Sequence, residues 1–206
     1  MINGFTYEPE NTTSLETYEW DRTWWEHTED TVTPRALYIG DSISWDIRTV
    51  ANRLLGGEML LDGYATSKAL DNPFFSKTLA LMKAQMHHCE LILLNNGLHG
   101  AHMDDKTYEQ GYRAMLEQLK AMFPGVTVAV VLTTHVENET RDARMVQRNG
   151  IASAIAMEYG YPVVDLYSLS ASLSDPFKDG VHFKKEANEC LAAHFTQRIR
   201  EIRQEP

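Results

Sequence analysis

From Ala36 onward, short apolar runs alternate with longer amphipathic stretches. This alternation is typical of repeated strand and helix units, in which crossover helices join the strands of a mostly parallel sheet. The apolar runs predict five strands, at residues 36–39, 58–61, 91–94, 127–132 and 162–165. We therefore expect an α/β fold, with helices covering both faces of a five-stranded sheet in a three-layer α/β/α sandwich.

Two amphipathic stretches carry apolar residues at helical spacing, which predicts helices that pack on the sheet. Their stripes are Tyr108, Tyr112, Met115, Leu116, Leu119 and Phe123 in the first, and Ala187, Cys190, Leu191, His194, Phe195 and Ile202 in the second. Because loops that follow parallel strands meet at the carboxyl edge of the sheet, we expect the functional site at that edge.

The first 33 residues differ from the rest, since they are polar and acidic yet contain three tryptophans, Trp20, Trp24 and Trp25. We interpret residues 1–33 as an extension that packs on a single domain formed by residues 34–206. Tryptophans this close in sequence predict one or two helical turns that brace the domain, because each buries a large apolar area. A platform for binding sugars is the alternative.

The composition of the chain limits the kinds of molecule that the protein is expected to bind. The chain has 206 residues, a formal net charge of −10 and a pI near 5.2, which disfavours nucleic acid because phosphate binding needs clustered Lys and Arg. Cys89 and Cys190 form no CxxC pair, and residues 1–10 lack the features of a signal peptide. With no run long enough to span a membrane, we expect a cytoplasmic protein that acts on a small molecule.

The sequence Gly40-Asp41-Ser42 directly follows the first predicted strand and precedes a predicted helix over residues 43–55. This position places the Ser42 hydroxyl and N–H at a helix N-terminus, where negative charge is stabilised. An Asp or Ser that only caps the helix would produce the same local sequence.

A second motif, Asp179-Gly180-Val181-His182, lies before the last predicted helix. A serine hydroxyl becomes a good nucleophile when a histidine takes its proton, and an acidic group orients that histidine. An Asp-Gly turn without function is the alternative. Taken together, Ser42, His182 and Asp179 predict the nucleophile, base and orienting acid of a serine hydrolase.

These two motifs and their order in the chain resemble those of the SGNH hydrolases, also called the GDSL-type lipase/acylhydrolase family. The resemblance extends from about residue 35 to the final helix. It implies a flavodoxin-like parallel sheet, ester substrates from acetylated sugars to lipids, and an acyl-enzyme mechanism without a metal or other cofactor. It also implies that Ser42 is the nucleophile, His182 the general base and Asp179 its orienting partner.

Two further elements of the family, which supply N–H groups to the oxyanion hole beside Ser42, match less closely. Gly63 is the candidate counterpart of the family glycine that follows the second strand, with Thr66 and Ser67 as alternatives. After the third strand His99 stands where the family has Asn, and Asn96 is the alternative donor. A neutral histidine can donate one N–H to an oxyanion.

The sequence thus predicts a serine esterase, with short acyl groups favoured because short connections leave little material for a lid over a long chain. An acetyl ester of a carbohydrate is the expected substrate. A lysophospholipase or thioesterase acting on longer chains is one alternative, and a catalytically weak carbohydrate-binding protein on the same scaffold is another. His99 and His102 have the spacing of a metal pair but lack a third ligand at helical spacing, so we expect no metal site.

Overall fold

The computed structural model describes residues 16–86 and 88–204, which form a six-stranded sheet with six helices. The strands are β1 (Asp21–Trp24), β2 (Arg35–Gly40), β3 (Leu60–Thr66), β4 (Leu91–Leu94), β5 (Thr127–Val131) and β6 (Val163–Val164). The helices are α1 (Ser42–Leu55), α2 (Pro73–Lys83), α3 (Asp105–Met122), α4 (Glu139–Tyr159), α5 (Leu166–Ser172) and α6 (Lys185–Ile202).

The strand order is β1-β3-β2-β4-β5-β6, and every neighbouring pair except β1 and β3 is parallel. When only the five parallel strands are numbered, their order is 2-1-3-4-5, which is the flavodoxin-like arrangement. The chain reverses its direction of winding between β2 and β4, so the loops that follow these two strands flank a crevice at the carboxyl edge. This crevice is where ligands bind in open α/β sheets.

Two hydrophobic clusters, one on each face of the sheet, form the core. Helices α2, α3 and α4 cover one face with Phe75, Leu79, Tyr112, Leu116 and Ile155 among their buried residues. Helices α1, α5 and α6 cover the other with Ile47, Leu55, Leu166, Leu191 and Phe195. The α/β/α sandwich predicted from the sequence is confirmed.

The segment that contains the tryptophans forms a strand instead of the predicted helical turns. β1 pairs antiparallel with β3, with Asp21 opposite Thr66 and Trp24 opposite Gly63, and so adds a sixth strand at the edge. All four residues of β1 are exposed, so no apolar alternation marks the strand in the sequence. Its stability depends on pairing with β3, which local sequence does not report. Residues 1–15 of the predicted extension lie outside the described residues.

The bounds of β3 also differ from the prediction, which ended this strand at residue 61. The strand continues through Asp62, whose carboxylate accepts two hydrogen bonds of 3.0 Å from the buried Arg35. A Cβ on Gly63 would lie 2.4 Å from Cδ of Arg48, so the glycine leaves space for that side chain. Gly63 therefore lies inside the sheet, between Tyr38 of β2 and Trp24 of β1 and three residues before the end of β3, a position that gives no support to its predicted place in the oxyanion hole.

The stripe of α3 is confirmed, and that of α6 is confirmed except at Cys190, which is exposed, and His194, which is half-buried. In α6 the buried face runs through Ala187, Leu191, Phe195 and Ile199, while Cys190 is exposed. Cys190 precedes Leu191 by one residue and so points about 100° away from that face. Among the described helices, none combines the length and the hydropathy needed to cross a bilayer.

Candidate active site

Ser42 is the first residue of α1, directly after the turn that follows β2. Asp41 caps the helix, and its Oδ1 accepts hydrogen bonds from the N–H groups of Ile43 (2.9 Å) and Ser44 (3.1 Å). The cap therefore takes the second and third N–H groups of the helix and not that of Ser42. Ser42, as the first residue of α1, lies at the positive end of the helix dipole with its N–H outside the cap.

Asp179 and His182 lie in a loop of residues 177–182, called here the His182 loop. Asp179 Oδ1 accepts the N–H groups of Val181 (3.0 Å) and His182 (2.8 Å), which makes a tight local turn. Gly180 within this turn has φ +81°, a conformation that favours glycine. A β-bridge between Phe177 and Phe183 closes the loop and directs the His182 ring toward α1.

Side chains from the two ends of the chain meet in a continuous relay. Ser42 Oγ lies 2.8 Å from His182 Nε2, and His182 Nδ1 lies 2.8 Å from Asp179 Oδ2. If Nδ1 carries the proton that bonds Asp179, Nε2 is free to accept the proton of Ser42. The structure thus brings together all three residues that the sequence predicted as a relay.

The carboxyl group of Asp179 is ionised throughout the neutral range. Hydrogen bonds from the N–H of His182, the His182 ring and the N–H of Val181 lower its pKa to about 2. The side chain is exposed, so solvent also supports the charged form. A permanent carboxylate at this place suits the orientation of an imidazole and the stabilisation of an imidazolium.

A pocket of about 350 Å³ opens beside Ser42 and His182. Its other lining residues are Trp20, Asp21 and Arg22 from residues 16–24, called here the N-terminal segment, and Trp45 and Asp46 from α1. The guanidinium carbon of Arg22 lies 4.8 Å from the centre of the Trp45 ring. The wall formed by Trp20, Asp21 and Arg22 has no signal in the sequence, because it depends on the pairing of β1 with β3.

Asp21 is held in this wall by a small polar network. Its Oδ2 is 2.5 Å from Lys68 Nζ, and its Oδ1 accepts the hydroxyls of Tyr64 and Thr66, each at 2.7 Å. Burial opposes ionisation of Asp21, but the hydrogen bonds from Lys68, Thr66 and Tyr64 outweigh it and lower the pKa of the carboxyl. Asp21 therefore anchors β1 as a carboxylate beside the pocket.

The loop of residues 95–100, called here the His99 loop, follows β4 at the same edge. Asn96 Nδ2 donates to the carbonyl of Lys68 (3.0 Å), which occupies one of its two amide hydrogens. The His99 ring lies edge-on to Trp20, with centroids 6.1 Å apart, and its Nδ1 is 3.8 Å from Glu16 Oε1. His99 Nε2 is shielded from solvent and has no hydrogen-bond partner in the described part of the chain.

Thr66 and Ser67, the alternatives to Gly63, are bonded to the N-terminal segment. The Thr66 hydroxyl donates to Asp21 Oδ1, as described, and the Ser67 N–H donates to the carbonyl of Trp20 (3.1 Å). The Ser67 hydroxyl donates to Glu19 (3.1 Å). Neither residue offers one of these groups to an ester substrate.

His99 and His102 contact different partners. His102 Nε2 lies 2.8 Å from Asp71 Oδ2, whereas the His99 ring faces Glu16 and Trp20. In residues 16–86 and 88–204, no group of three or more His, Cys, Asp or Glu side chains could hold a metal ion.

The largest omission of the sequence analysis is Arg148, which is buried in α4 beneath the His99 loop. It donates hydrogen bonds to the carbonyls of Gly97, His99 and Gly100, at 2.6 to 2.7 Å. Its only signal in the sequence is an arginine within the amphipathic stretch of α4, and such residues are usually solvated.

Comparison with known proteins supports the fold through structure and not through sequence. No family model and no curated protein sequence matches the chain. The M. smegmatis aryl esterase superposes with a TM-score of 0.68 at 18% identity, covering 82% of this chain and 99% of that one. A carbohydrate acetylesterase from Sinorhizobium meliloti gives 0.70 at 15% identity, over 82% of this chain and all of that one.

A protein from Slackia heliotrinireducens that is described as a candidate SGNH hydrolase gives a TM-score of 0.64 at 16% identity. It matches over 82% of this chain and 100% of its own length. The chain therefore has the SGNH hydrolase fold, as the two sequence motifs predicted. At these identities the similarity establishes the fold and not the reaction that the protein catalyses.

Proposed function

We propose that this protein is a serine esterase that hydrolyses carboxylic esters through a seryl ester intermediate. The observation that carries the proposal is the relay of two 2.8 Å contacts from Ser42 Oγ through His182 to Asp179. Each side chain has the neighbour that its role requires, on a fold that solved esterases share.

In the first half of the proposed reaction, Ser42 Oγ attacks the ester carbonyl carbon and His182 Nε2 takes the hydroxyl proton. The carbonyl π electrons move to oxygen, and the N–H of Ser42 at the start of α1 stabilises that charge. When the tetrahedral intermediate collapses, the bond to the alkoxy oxygen breaks and His182 gives its proton to the departing alcohol. The acyl group remains on Ser42.

In the second half, His182 takes a proton from water, and the resulting hydroxide attacks the acyl carbon. Collapse of the second intermediate breaks the bond to Ser42 Oγ, which recovers its proton from His182, and a carboxylic acid leaves. Asp179 holds the ring of His182 and stabilises its charged form in both halves. No metal or cofactor takes part in this scheme.

A second donor to the oxyanion is assigned to His99, with Asn96 as the alternative. His99 is favoured because it stands where the family has Asn and because its ring contacts Trp20, which lines the pocket of Ser42, while its Nε2 has no hydrogen-bond partner among the described residues. Asn96 already uses one amide hydrogen on the Lys68 carbonyl. Gly63 is not part of the proposal, because it lies inside the sheet three residues before the carboxyl end of β3.

For the substrate, we favour a short acyl ester of a carbohydrate. Two tryptophans provide apolar faces in the pocket, while Arg22 and Asp46 provide polar groups that could orient hydroxyls. The similarity to solved structures described as a carbohydrate acetylesterase and an acetyl xylan esterase is consistent with this choice.

A direct test of the reaction is labelling with a fluorophosphonate, followed by identification of the modified peptide by mass spectrometry. We expect label on Ser42 and none on the Ser42→Ala variant, whose turnover of p-nitrophenyl acetate should fall by about a millionfold. Ser172→Ala, at an exposed serine of α5, is the matched control and should retain both labelling and activity. Labelling of another serine, or a Ser42→Ala variant with a tenth of normal activity, would contradict the proposal.

A chain-length series of p-nitrophenyl esters tests the substrate class. Hydrolysis should be fastest for acetate and should decline as the acyl chain lengthens. A maximum at eight or more carbons would favour the lysophospholipase or thioesterase alternative. Binding of acetylated sugars without measurable hydrolysis of any ester would favour a carbohydrate-binding protein.

A further inference from the structure

The His99 loop is attached to α4 by a buried arginine. Arg148 is only 1% exposed and donates to the carbonyls of Gly97 (2.7 Å), His99 (2.6 Å) and Gly100 (2.6 Å). Its guanidinium carbon also lies 4.7 Å from the centre of the Tyr108 ring. One side chain thus binds three of the four carbonyls in residues 97–100.

The same loop is bonded on its other side by the N-terminal segment. Glu16 Oε1 accepts the N–H of Gly100 at 2.6 Å. That N–H and the carbonyl of His99 belong to a single peptide group, so this group is bonded to Arg148 at its oxygen and to Glu16 at its nitrogen. Hydrogen bonds to charged groups are the stronger ones, and these two fix the plane of the peptide that follows His99.

The position of Arg148 needs an explanation beyond packing. Within residues 16–86 and 88–204 no carboxylate is hydrogen-bonded to it, although the charges of Asp105 and Glu16 act on it, and a guanidinium buried in this way loses its hydration. Burial lowers the pKa of Arg148 accordingly, although arginine stays protonated at neutral pH. An apolar side chain could fill the same space in a helix, but it could not bind three carbonyls.

The backbone of the loop leaves little room for another arrangement. A Cβ on Gly97 would lie 2.1 Å from Thr133 Oγ1, and Gly100 has φ +75° with Ala69 Cβ 2.8 Å from its ideal Cβ. The loop therefore packs closely against Thr133 and Ala69, while Arg148 and Glu16 hydrogen-bond its peptide groups. His99 lies between these attachments, with its ring against Trp20.

We propose that Arg148 and Glu16 are positioning residues, which hold the peptide between His99 and Gly100 so that the His99 ring keeps one orientation against Trp20, at the edge of the pocket that contains Ser42. The inference rests on the proposed function, since it assigns the two residues to the oxyanion side of the esterase site. Neither residue touches the substrate, and both act through His99.

The test measures kcat and KM for p-nitrophenyl acetate in Arg148→Lys, Arg148→Met and Glu16→Gln, each in the native protein and in the His99→Ala variant. We expect kcat to fall by about a hundredfold in Arg148→Met, because a displacement of the order of 1 Å can cost that much. Arg148→Lys should lose about tenfold, since an ammonium cannot bind three carbonyls in the geometry of a guanidinium. Glu16→Gln should lose about threefold, because a neutral acceptor remains.

The decisive observation is the coupling to His99. In the His99→Ala variant, Arg148→Lys and Glu16→Gln should change kcat by less than about twofold, because residues that act through a third lose their effect when it is removed. KM should stay within about twofold throughout. Because a smaller fraction of folded protein would also lower the apparent kcat at constant KM, kcat is calculated per active site, counted by fluorophosphonate labelling of Ser42. If Arg148→Met does not fold, the other two variants decide the result.

Arg144→Met is the matched control. Arg144 lies one turn earlier on α4 and donates to the carbonyl of Ala101, directly beyond the loop, at 2.9 Å. It is solvent-accessible, and its replacement should leave kcat within about twofold. The proposal is overturned if Arg148→Lys retains full kcat, if its loss is the same with and without His99, or if His99→Ala is itself silent. Absence of both ester turnover and Ser42 labelling in the native protein would instead refute the proposed esterase function.

Discussion

The two loops that flank Ser42 are stabilised in opposite ways. In the His182 loop, Asp179 bonds the N–H groups of residues two and three positions later, as well as the His182 ring. In the His99 loop, the bonds to Gly100 come from Glu16 and Arg148, which are 84 and 48 residues away in the chain. The first loop is mainly a local turn, with one bond from the distant Glu137 N–H to the Gly180 carbonyl (2.9 Å), and the second depends on the completed tertiary structure.

The loops differ in burial as well. His182 is 36% exposed at its side chain and Asp179 57%, whereas the His99 side chain is 20% exposed and Arg148 is fully buried. An exposed turn can form early and tolerate changes around it, while a buried loop with charged partners requires each partner in place. This difference predicts that remote substitutions affect the His99 loop and leave the His182 loop intact.

The largest effects should come from the local relay itself. His182→Ala should lower kcat by about a millionfold, and Asp179→Asn by about ten-thousandfold, as the serine protease precedent for a lost orienting carboxylate indicates. Because the pKa of Asp179 is about 2, this carboxyl should not limit activity between pH 4 and 9. Activity of Asp179→Asn above a tenth of normal would mean that the relay does not need its acid.

His99 should produce the next largest effect. His99→Ala is expected to lower kcat by about a hundred to a thousandfold with little change in KM, the usual loss for one oxyanion donor. His99→Asn should recover part of the rate, because its amide also offers N–H groups. If Asn96→Ala shows the loss and His99→Ala does not, the second donor is Asn96.

Substitutions of the two pocket tryptophans distinguish a role in substrate binding, which changes KM, from a role in positioning His99, which changes kcat. Trp45→Ala should raise KM by about tenfold, the equivalent of one lost aromatic contact, with kcat nearly unchanged. Trp20→Ala should raise KM similarly and also lower kcat, because the Trp20 ring contacts His99. Steady-state kinetics on an acetylated sugar checks both. Identical behaviour of the two variants would remove Trp20 from any role in positioning His99.

Gly180 should give the smallest effect. Gly180→Ala introduces a Cβ at φ +81°, where an L residue costs about 1–2 kcal/mol, and places it 2.8 Å from the flexible end of Glu137. Gly160→Ala, at φ +67° with open space around it, is the control for backbone strain alone. Denaturant unfolding should show similar losses for both, while only Gly180→Ala should slow turnover, by about fivefold. Equal activities would show that the His182 loop tolerates distortion.

Several predictions from the sequence stay predictions. They include the division of the chain at residues 33 and 34, the cytoplasmic location and the absence of nucleic-acid partners.

Much of the fold followed from the sequence because short-range physics determines it. Apolar runs of strand length and helical stripes reflect burial on the two faces of one sheet, and Asp41 caps α1 just before Ser42. The Asp-x-x-His turn orients its own two side chains. These features depend on residues that are neighbours in the chain, so their pattern is visible in it.

Only the tertiary structure decided the remaining parts of the site. β1 became a strand because the edge of β3 was available to pair with it, and that pairing brought Trp20 and Arg22 to the pocket. Gly63 lies inside the sheet at a place where a larger side chain would clash with Arg48 from α1. Arg148 and Glu16 bond the same peptide from opposite sides because α4 and the N-terminal segment meet there, and contacts between such distant residues have no local pattern in the sequence.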